Sequence, residues 1–509
     1  MSRLPAQVAG SAAWTDTAHE SPVEPVRMSP PVTSQVLATS LLVLTDAVCF
    51  LGALALAFYA RVHVMPHVVP AVAGQLSPGL VEHAWWMGGL FILCLAYQGT
   101  YRDRSPFWQE TGSIIKASVL AFILVMTVVS VARLGAEVSP AVLALGFAFS
   151  LAMVPAGRYA GKPLLARSRL WVRPVVILGA GKAGRRVARC LLGDRYQGYE
   201  VVGFLEEDAS RVGQQVEVQG RQFPILGVFR DSKALMERTG ATHMVVAAPN
   251  LEPNSLVGLV NRLHREGATV MLIPNLRGLP LTGMEVEYFF NEQMMSLRIR
   301  NNLASGFNRA MKRVFDLGVG SLILVAILPL MALVALAIKL DSPGPVTFAH
   351  RRIGRGGREF NCYKFRSMVV NADAVLQQVL DSDPALREEW ERNFKLRRDP
   401  RVTRVGRLLR ATSLDELPQI FNVLKGEMSL VGPRPIVASE VPRFTHYIAD
   451  YYQVCPGMTG LWQVSGRSEI EYSSRIRLES WYIRNWSLWL DVSLLFRTIA
   501  VVLGKRGAY

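Results

Sequence analysis

Residues 312–340 read KRVFDLGVGSLILVAILPLMALVALAIKL. A straight helix over Leu317–Leu340 is long enough to cross a hydrocarbon core of about 30 Å. Two features weigh against a crossing. Pro329 sits mid-run, where it removes a backbone donor and favours a kink or break. Basic residues flank both ends: Lys312 and Arg313 before, Lys339 at the end, and a dense arginine cluster soon after. A true span would carry that cluster outside, against the rule that Lys and Arg collect on the cytoplasmic side. The run therefore predicts a re-entrant membrane helix over 309–340, with Lys312, Arg313, Asp316 and Pro329 at the re-entry. The alternative is one more span, kinked at the proline.

Upstream, apolar stretches near 36–60, 83–100, 112–134 and 138–157 each match a membrane-spanning helix in length. Together they predict a four-helix transmembrane bundle over 35–160. Arg102 and Arg104 follow the second stretch, and Arg158, Lys162, Arg167, Arg169 and Arg173 end or follow the fourth. The other two loops are poor in basic residues, which places both ends of the bundle in the cytoplasm. Asp46 lies inside the first stretch, as a functional or a bundle-facing carboxylate. Residues 1–34, rich in Ser, Pro, Ala and Thr, read as a disordered tail. The whole chain of 509 residues is half hydrophobic yet carries a net charge of +16. That combination calls for apolar segments in lipid and basic surfaces for anions. Five well-separated cysteines with no metal spacing fit reduced thiols.

Between bundle and re-entrant run, Val175-Val176-Ile177-Leu178 reads as a buried strand. Gly179-Ala180-Gly181-Lys182-Ala183-Gly184 then opens a helix. A second strand at Glu200–Leu205 ends in Glu206, Glu207 and Asp208, and another follows at His243–Ala248. This order resembles a Rossmann-like α/β unit, placed over 174–295. Gly179, Gly181 and Gly184 would let an anion approach the helix N-terminus. The other reading is a structural or nucleotide-sensing domain that has kept the turn.

Downstream, Val346–Met368 reads as a β-hairpin turning at Gly354-Arg355-Gly356-Gly357. Arginines crowd that turn, and Lys395, Arg397, Arg398, Arg401, Arg404, Arg407 and Arg410 form a second cluster. Beside a membrane-inserted run, such clusters suit headgroups or diphosphates. Stacking aromatics among them are few, which disfavours nucleic acid. Trp481, Trp486 and Trp489 with Tyr482 suit either a membrane interface or an aromatic core. Ser413-Leu414-Asp415-Glu416-Leu417-Pro418-Gln419 follows the second cluster. Ser413 and Glu416 have capping-box spacing. Adjacent carboxylates point different ways on a helix, so one can attack while the other orients a group or a metal. Cations around Asp415 would keep it ionised. Gly432-Pro433-Arg434-Pro435 is a stiff turn that presents Arg434, whose planar fork suits phosphate.

Tyr363–Met368, Leu414–Gln419, Gly432–Pro435 and Pro456–Arg467 together resemble the bacterial polyprenyl phosphate hexose-1-phosphate transferases, in family order across 308–509. The bundle and Rossmann-like unit resemble the large form. The stretch Asp383–Trp390 with Phe394-Lys395-Leu396 is most similar to the undecaprenyl-phosphate galactose phosphotransferase branch, with the glucose branch second.

The resemblance implies a membrane α+β multidomain protein: bundle, Rossmann-like domain and monotopic catalytic domain over 308–509, its re-entrant helix broken at Leu328-Pro329. It implies Asp415 and Glu416 as the catalytic dyad, with Mg²⁺ as cofactor at the same carboxylates. Lys364, Arg366, Arg410, Gln419 and Arg434 are the expected substrate-binding residues. The expected partners are a UDP-sugar, undecaprenyl phosphate, membrane lipid and a second copy of the chain, and no nucleic acid. The expected location is the inner membrane, with catalysis on the cytoplasmic face and a surface polysaccharide as the eventual product. A different class remains open: a non-catalytic nucleotide-binding membrane scaffold.

Overall fold

The computed structural model describes residues 32–69, 79–274, 285–289, 294–298, 302–382, 387–388, 399–465 and 471–503. It forms two compact units that divide between Asn275 and Leu276. Most of the expected tail, the residues from Asp383 to Leu386, Glu389-Trp390, and the basic run of Lys395, Arg397 and Arg398 lie outside the described residues.

The first unit opens with four helices: α1 (Val32–Tyr59), α2 (Gly79–Tyr97), α3 (Phe107–Val131) and α4 (Pro140–Arg167). Among the described residues, segments 35–68, 107–131, 140–167 and 306–341 are long and apolar enough to cross a membrane. Phe50, Leu54, Met87, Phe91, Ile114 and Val125 share one apolar core. Helices α1 and α4 pack closely because Gly146 faces Leu54, where an added Cβ would come within 2.8 Å of its side chain.

A fully buried ionic group sits among these helices. Arg158 donates to Asp46 Oδ1 from Nε (2.9 Å) and to Asp46 Oδ2 from Nη2 (2.5 Å). Its Nη1 donates to Glu110, which also accepts from Lys162 Nζ at 2.5 Å and from the Tyr196 hydroxyl. Tyr101 donates to Asp46 at 2.7 Å. Two carboxylates and two cations thus balance, each below a tenth exposed. Asp46 is bundle-facing and paired, the second of its two sequence readings.

The rest of the unit is a parallel sheet with one antiparallel edge. Its strands are β1 (Arg173–Leu178), β2 (Tyr199–Glu206), β3 (Gln215–Val218), β4 (Arg221–Val228), β5 (His243–Val246) and β6 (Thr269–Leu272). They lie in the order β3-β4-β2-β1-β5-β6. Helices α5 (Lys182–Gly193), α6 (Ser232–Thr239) and α7 (Pro253–Arg265) complete a doubly wound arrangement. Strand alternation explains it: Val175 and Ile177 face one apolar cluster with Ala188 and Leu191, Val176 and Leu178 another with Leu235 and Leu259.

The second unit contains a hairpin of β7 (Glu285–Phe289) with β8 (Met294–Arg298) and the helix α8 (Gly306–Asp341). The latter is unbroken through Pro329, so the break expected at Leu328-Pro329 is absent. Proline costs one hydrogen bond. In an apolar setting every further freed backbone group costs several kcal/mol, which favours keeping the rest of the helix intact. Both ends of α8 belong to one domain. Lys312 Nζ donates to Val431 O (3.0 Å) and Asp491 Oδ2 (2.7 Å). Arg313 donates to the carbonyls of Val423 and Leu424, and Asp316 accepts from Leu430 N. At the other end, Met331, Val334 and Ile338 join the same core as Phe365, Leu409 and Ile420. Between these anchors Leu322, Val325, Leu328 and Leu330 stand exposed.

The remaining elements are the antiparallel hairpin β9 (Thr347–Ile353) and β10 (Glu359–Phe365), then α9 (Ala372–Ser382), α10 (Arg404–Thr412) and α11 (Gln419–Lys425). The short strands β11 (Ser429–Val431) and β12 (Gly457–Thr459) pair in parallel, and α12 (Tyr472–Arg484) and α13 (Leu488–Leu503) close the domain. The terminal aromatics divide: Tyr482 and Trp486 are buried in the core, whereas Trp481 is exposed.

Candidate active site

Strand β10 delivers the first cation. Cys362 and Phe365 are the buried residues of β10, three positions apart and so on opposite faces, and Asn422 fixes the strand to α11. Asn422 is fully buried; its Oδ1 accepts from Tyr363 N (3.0 Å) and its Nδ2 donates to Asn361 O and Glu427 Oε2 (2.7 Å each). These bonds hold Lys364 in place one residue on. Its Nζ donates to Glu416 Oε1 at 2.7 Å and lies 4.0 Å from Asp415 Oδ2.

Helix α10 delivers the dyad. Thr403 caps its start by accepting from Gly406 N (2.9 Å). Gly406 lies so close to Ser367 O that any side chain would overlap it, and Arg410 Nε donates to Ser367 Oγ (2.9 Å). The helix then ends at Ser413, whose φ of 58° places it in the left-handed region. That conformation costs a non-glycine residue about 1–2 kcal/mol. The Ser413 side chain caps nothing, so the expected capping box does not form. A single 3₁₀ turn, Leu414–Glu416, carries both carboxylates before Pro418 starts α11.

A small cavity of about 50 Å³ adjoins the dyad, lined among others by Arg352, Lys364, Glu416, Gln419, Arg434 and Gln463. Gln419 is buried in its wall rather than on a helix surface. Arg434 is exposed, its guanidinium 5.6 Å from the Trp462 ring, and its backbone N donates to Glu479 Oε1 (3.3 Å). Glu479 is itself buried and bonded to Arg475 (3.1 Å), so the Gly-Pro-Arg-Pro turn rests on an ion pair. Arg352, Gln463, Asn422 and Glu479 complete the surroundings; of these Arg352 belongs to the arginines crowding the hairpin turn and Gln463 to the Pro456–Arg467 motif. Asn422 and Glu479 are not singled out by the sequence, because they also bond to residues tens of positions away, Tyr363 and Arg434.

One expected substrate ligand is placed elsewhere. Arg366 gives Nη1 to Pro343 O (2.8 Å) and Nη2 to Ser342 O and Oγ (2.7 and 2.8 Å), closing the turn after α8. Both terminal nitrogens are thus engaged in the turn, while Nε is buried without a hydrogen-bond partner among the described residues. Gly179, Gly181 and Gly184 do form the turn after β1, but Glu206 Oε2 accepts from Ala180 N (2.9 Å) and from Arg211 (2.8 Å). An internal carboxylate therefore already engages one of the turn's backbone donors.

Burial raises the Asp415 pKa, Lys364 and Arg410 pull it down, and Glu416 adds to the rise; the net shift is upward. The expectation that cations dominate at Asp415 is thus corrected: desolvation wins. Chemistry that needs the Asp415 carboxylate is present above its folded pKa and lost as pH falls through it. The acid limb of kcat/KM is expected above the ordinary aspartate range. Lys364→Met, which removes a lowering charge, is expected to move that limb to still higher pH, read from the profile shape of the residual activity.

For a divalent cation the dyad offers two adjacent carboxylates, and among the described residues no third His, Cys, Asp or Glu joins them. Magnesium is commonly held by one or two carboxylates, with water and substrate phosphate oxygens completing its shell. The donor set fits that ion.

Comparison with known proteins bears on this geometry. A family model described as bacterial sugar transferase matches residues 307–505, and one described as a CoA-binding domain matches 96–274. The UDP-galactose-lipid carrier transferase of Erwinia amylovora is 38% identical over 92% of this chain and 97% of its own. The undecaprenyl-phosphate galactose phosphotransferase of Salmonella typhimurium is 40% identical, covering 80% and 84%. The UDP-glucose:undecaprenyl-phosphate glucose-1-phosphate transferase of Xanthomonas campestris is 31% identical, covering 82% and 86%.

Proposed function

The chain belongs to the bacterial sugar transferases, and on that premise we propose that it moves hexose-1-phosphate from a UDP-sugar to undecaprenyl phosphate, releasing UMP. Galactose is the favoured sugar, because the relatives of 38% and 40% identity carry galactose in their names while a glucose enzyme stands at 31%. Glucose is the second reading. The carrying observation is the 3₁₀ turn that sets Asp415 and Glu416 together, with Lys364 within 4.0 Å of both.

An Asp415 oxygen attacks the sugar-bearing phosphorus of the donor. The bond from that phosphorus to the bridging oxygen breaks, and UMP leaves. A phosphate oxygen of the lipid carrier then attacks the same phosphorus, and the Asp415 carboxylate departs. Two anions must meet for this, so positioning and charge neutralisation carry most of the rate. Lys364, Arg352, Arg410 and Arg434 supply cationic charge around the dyad, and Arg434 can grip phosphate with two parallel bonds. Asp415 and Glu416 would hold Mg²⁺, which when bound would add charge neutralisation on the diphosphate.

Helix α8 is read as re-entrant. The support is that Lys312 and Ile338 are both anchored in one domain while leucines and valines between them stand exposed, and the reading requires a bend at Pro329 that keeps the helix continuous. The remaining features of this reading are the inner membrane, a cytoplasmic catalytic face, a homodimer and a role at the start of surface polysaccharide synthesis. Exopolysaccharide production proteins are among the relatives of the catalytic domain.

Purified chain with undecaprenyl phosphate, Mg²⁺ and a panel of UDP-sugars is expected to release UMP over many turnovers only when the lipid and the ion are both present, with no more than one equivalent per site when the lipid is left out, fastest with UDP-galactose. Preference for UDP-glucose would exchange the two sugar readings. No release with any donor would leave the non-catalytic scaffold.

A further inference from the structure

The first unit contains a cavity of about 310 Å³ that the transfer reaction does not use. It lies where β1, β5 and β6 begin, at the N-terminal edge of the sheet. The Gly179–Gly184 turn follows the opposite end of β1, so the two places are distinct. Val175 and Val245 give the cavity apolar walls, Arg104 and Arg173 give it cationic ones, and His243 adds an imidazole. Asp103 is its carboxylate, and it is exposed.

Arg104 is rigidly held. Its guanidinium lies 4.0 Å over the Trp171 ring, and its Nη1 donates to the carbonyls of Trp171, Gln197 and Gly198 at 3.1–3.2 Å. Its Nε, like that of Arg173, is buried without a hydrogen-bond partner among the described residues. Buried donors of this kind are costly unless something accepts from them. Burial, then Arg173 and Arg104, push the His243 pKa down to about 4. Burial and Arg173 push Arg104 down to about 9. Crowded cations with unspent donors are what a bound anion would stabilise. The volume exceeds that of a bare oxyanion and reaches the lower bound for small organic ligands, roughly 300 Å³.

We propose that this cavity binds a phosphate monoester or diester carried on an apolar or aromatic body. Arg104 and Arg173 grip the phosphate, His243 lies beside it, and Val175 and Val245 take the body. Planar guanidinium forks match phosphate oxygens, and the valines offer contact to an apolar or aromatic body, beside the polar groups of Asp103, Tyr199 and Thr269. Two sources have this chemistry: a soluble nucleotide and an acidic phospholipid.

The test uses the full chain in lipid nanodiscs. One arm measures equilibrium binding of labelled UMP and AMP in zwitterionic lipid. The other measures phosphatidylglycerol retained by the protein after detergent extraction from mixed-lipid discs. Arg173→Gln and His243→Asn are the variants, and transfer activity serves as the check that each has folded. In one arm the wild-type protein is expected to bind one more equivalent than Arg173→Gln, or to bind about tenfold more tightly, the size of one lost charge-assisted contact. The arm that responds identifies the source. Equal binding by the wild type and both variants in both arms would overturn the proposal.

Discussion

Replacing Asp415 with Asn is expected to lower transfer by roughly 10⁶-fold, the scale seen when a covalent nucleophile is removed, while the melting temperature stays near that of the wild type. The two expectations follow from different features. Asn keeps the size and the 3₁₀ turn, and the closest ion pair of Asp415 is the long 4.0 Å approach of Lys364. Little folding energy therefore depends on its charge. The reaction, by contrast, needs an oxygen that can form a bond to phosphorus and leave again, which an amide does poorly. Glu416→Gln should behave differently. Glu416 holds Lys364 at 2.7 Å, so its loss frees that cation and disturbs the site without removing the attacking atom. A smaller loss, with part of the defect in KM, is expected. Steady-state rates for both variants, with circular dichroism as the check on folding, separate the two roles. Normal turnover by Asp415→Asn would remove the nucleophile assignment.

Arg158→Ala is expected to destabilise the first unit by about 3–5 kcal/mol, the cost of leaving buried carboxylates without their partner. Among the described residues Arg158 is the one group bonded to both Asp46 and Glu110, and neither carboxylate has appreciable contact with solvent. Removing it leaves two negative charges with Lys162 alone. The paired replacement Asp46→Leu with Arg158→Leu is expected to recover most of the loss, because it deletes one charge of each sign and leaves Glu110 with Lys162. Thermal unfolding of the detergent-solubilised protein reads both effects. A single variant as stable as the wild type would contradict the pairing, and a double variant no better than the single would contradict its charge-based explanation.

The elements legible in the sequence were those written in local periodicity. The apolar runs, the strand-turn-helix at Val175–Gly184 and the hairpin around Gly354 are encoded within windows of ten to thirty residues, and the structure builds all of them. The site was legible as a list of side chains but only partly as an arrangement. Arg366 sits in a basic motif, yet both its terminal nitrogens bond to Ser342 and Pro343, more than twenty residues upstream. Ser413 has capping-box spacing, but the preceding helix runs to Thr412 and forces it into a left-handed turn. Asp46 and Arg158 are 112 positions apart, and nothing local announces that they pair. The cations around Asp415 were visible, whereas the burial that outweighs them depends on how α10, α11 and β10 close together.

Intact-mass spectrometry of the purified protein, incubated with UDP-galactose and Mg²⁺ but no lipid acceptor, tests the proposed chemistry most directly. The expected result is an added mass of one hexose phosphate, mapped by peptide sequencing to Asp415 and discharged when undecaprenyl phosphate is supplied. An unmodified protein that still transfers sugar phosphate once the acceptor is added, or an adduct that persists in Asp415→Asn, would contradict it.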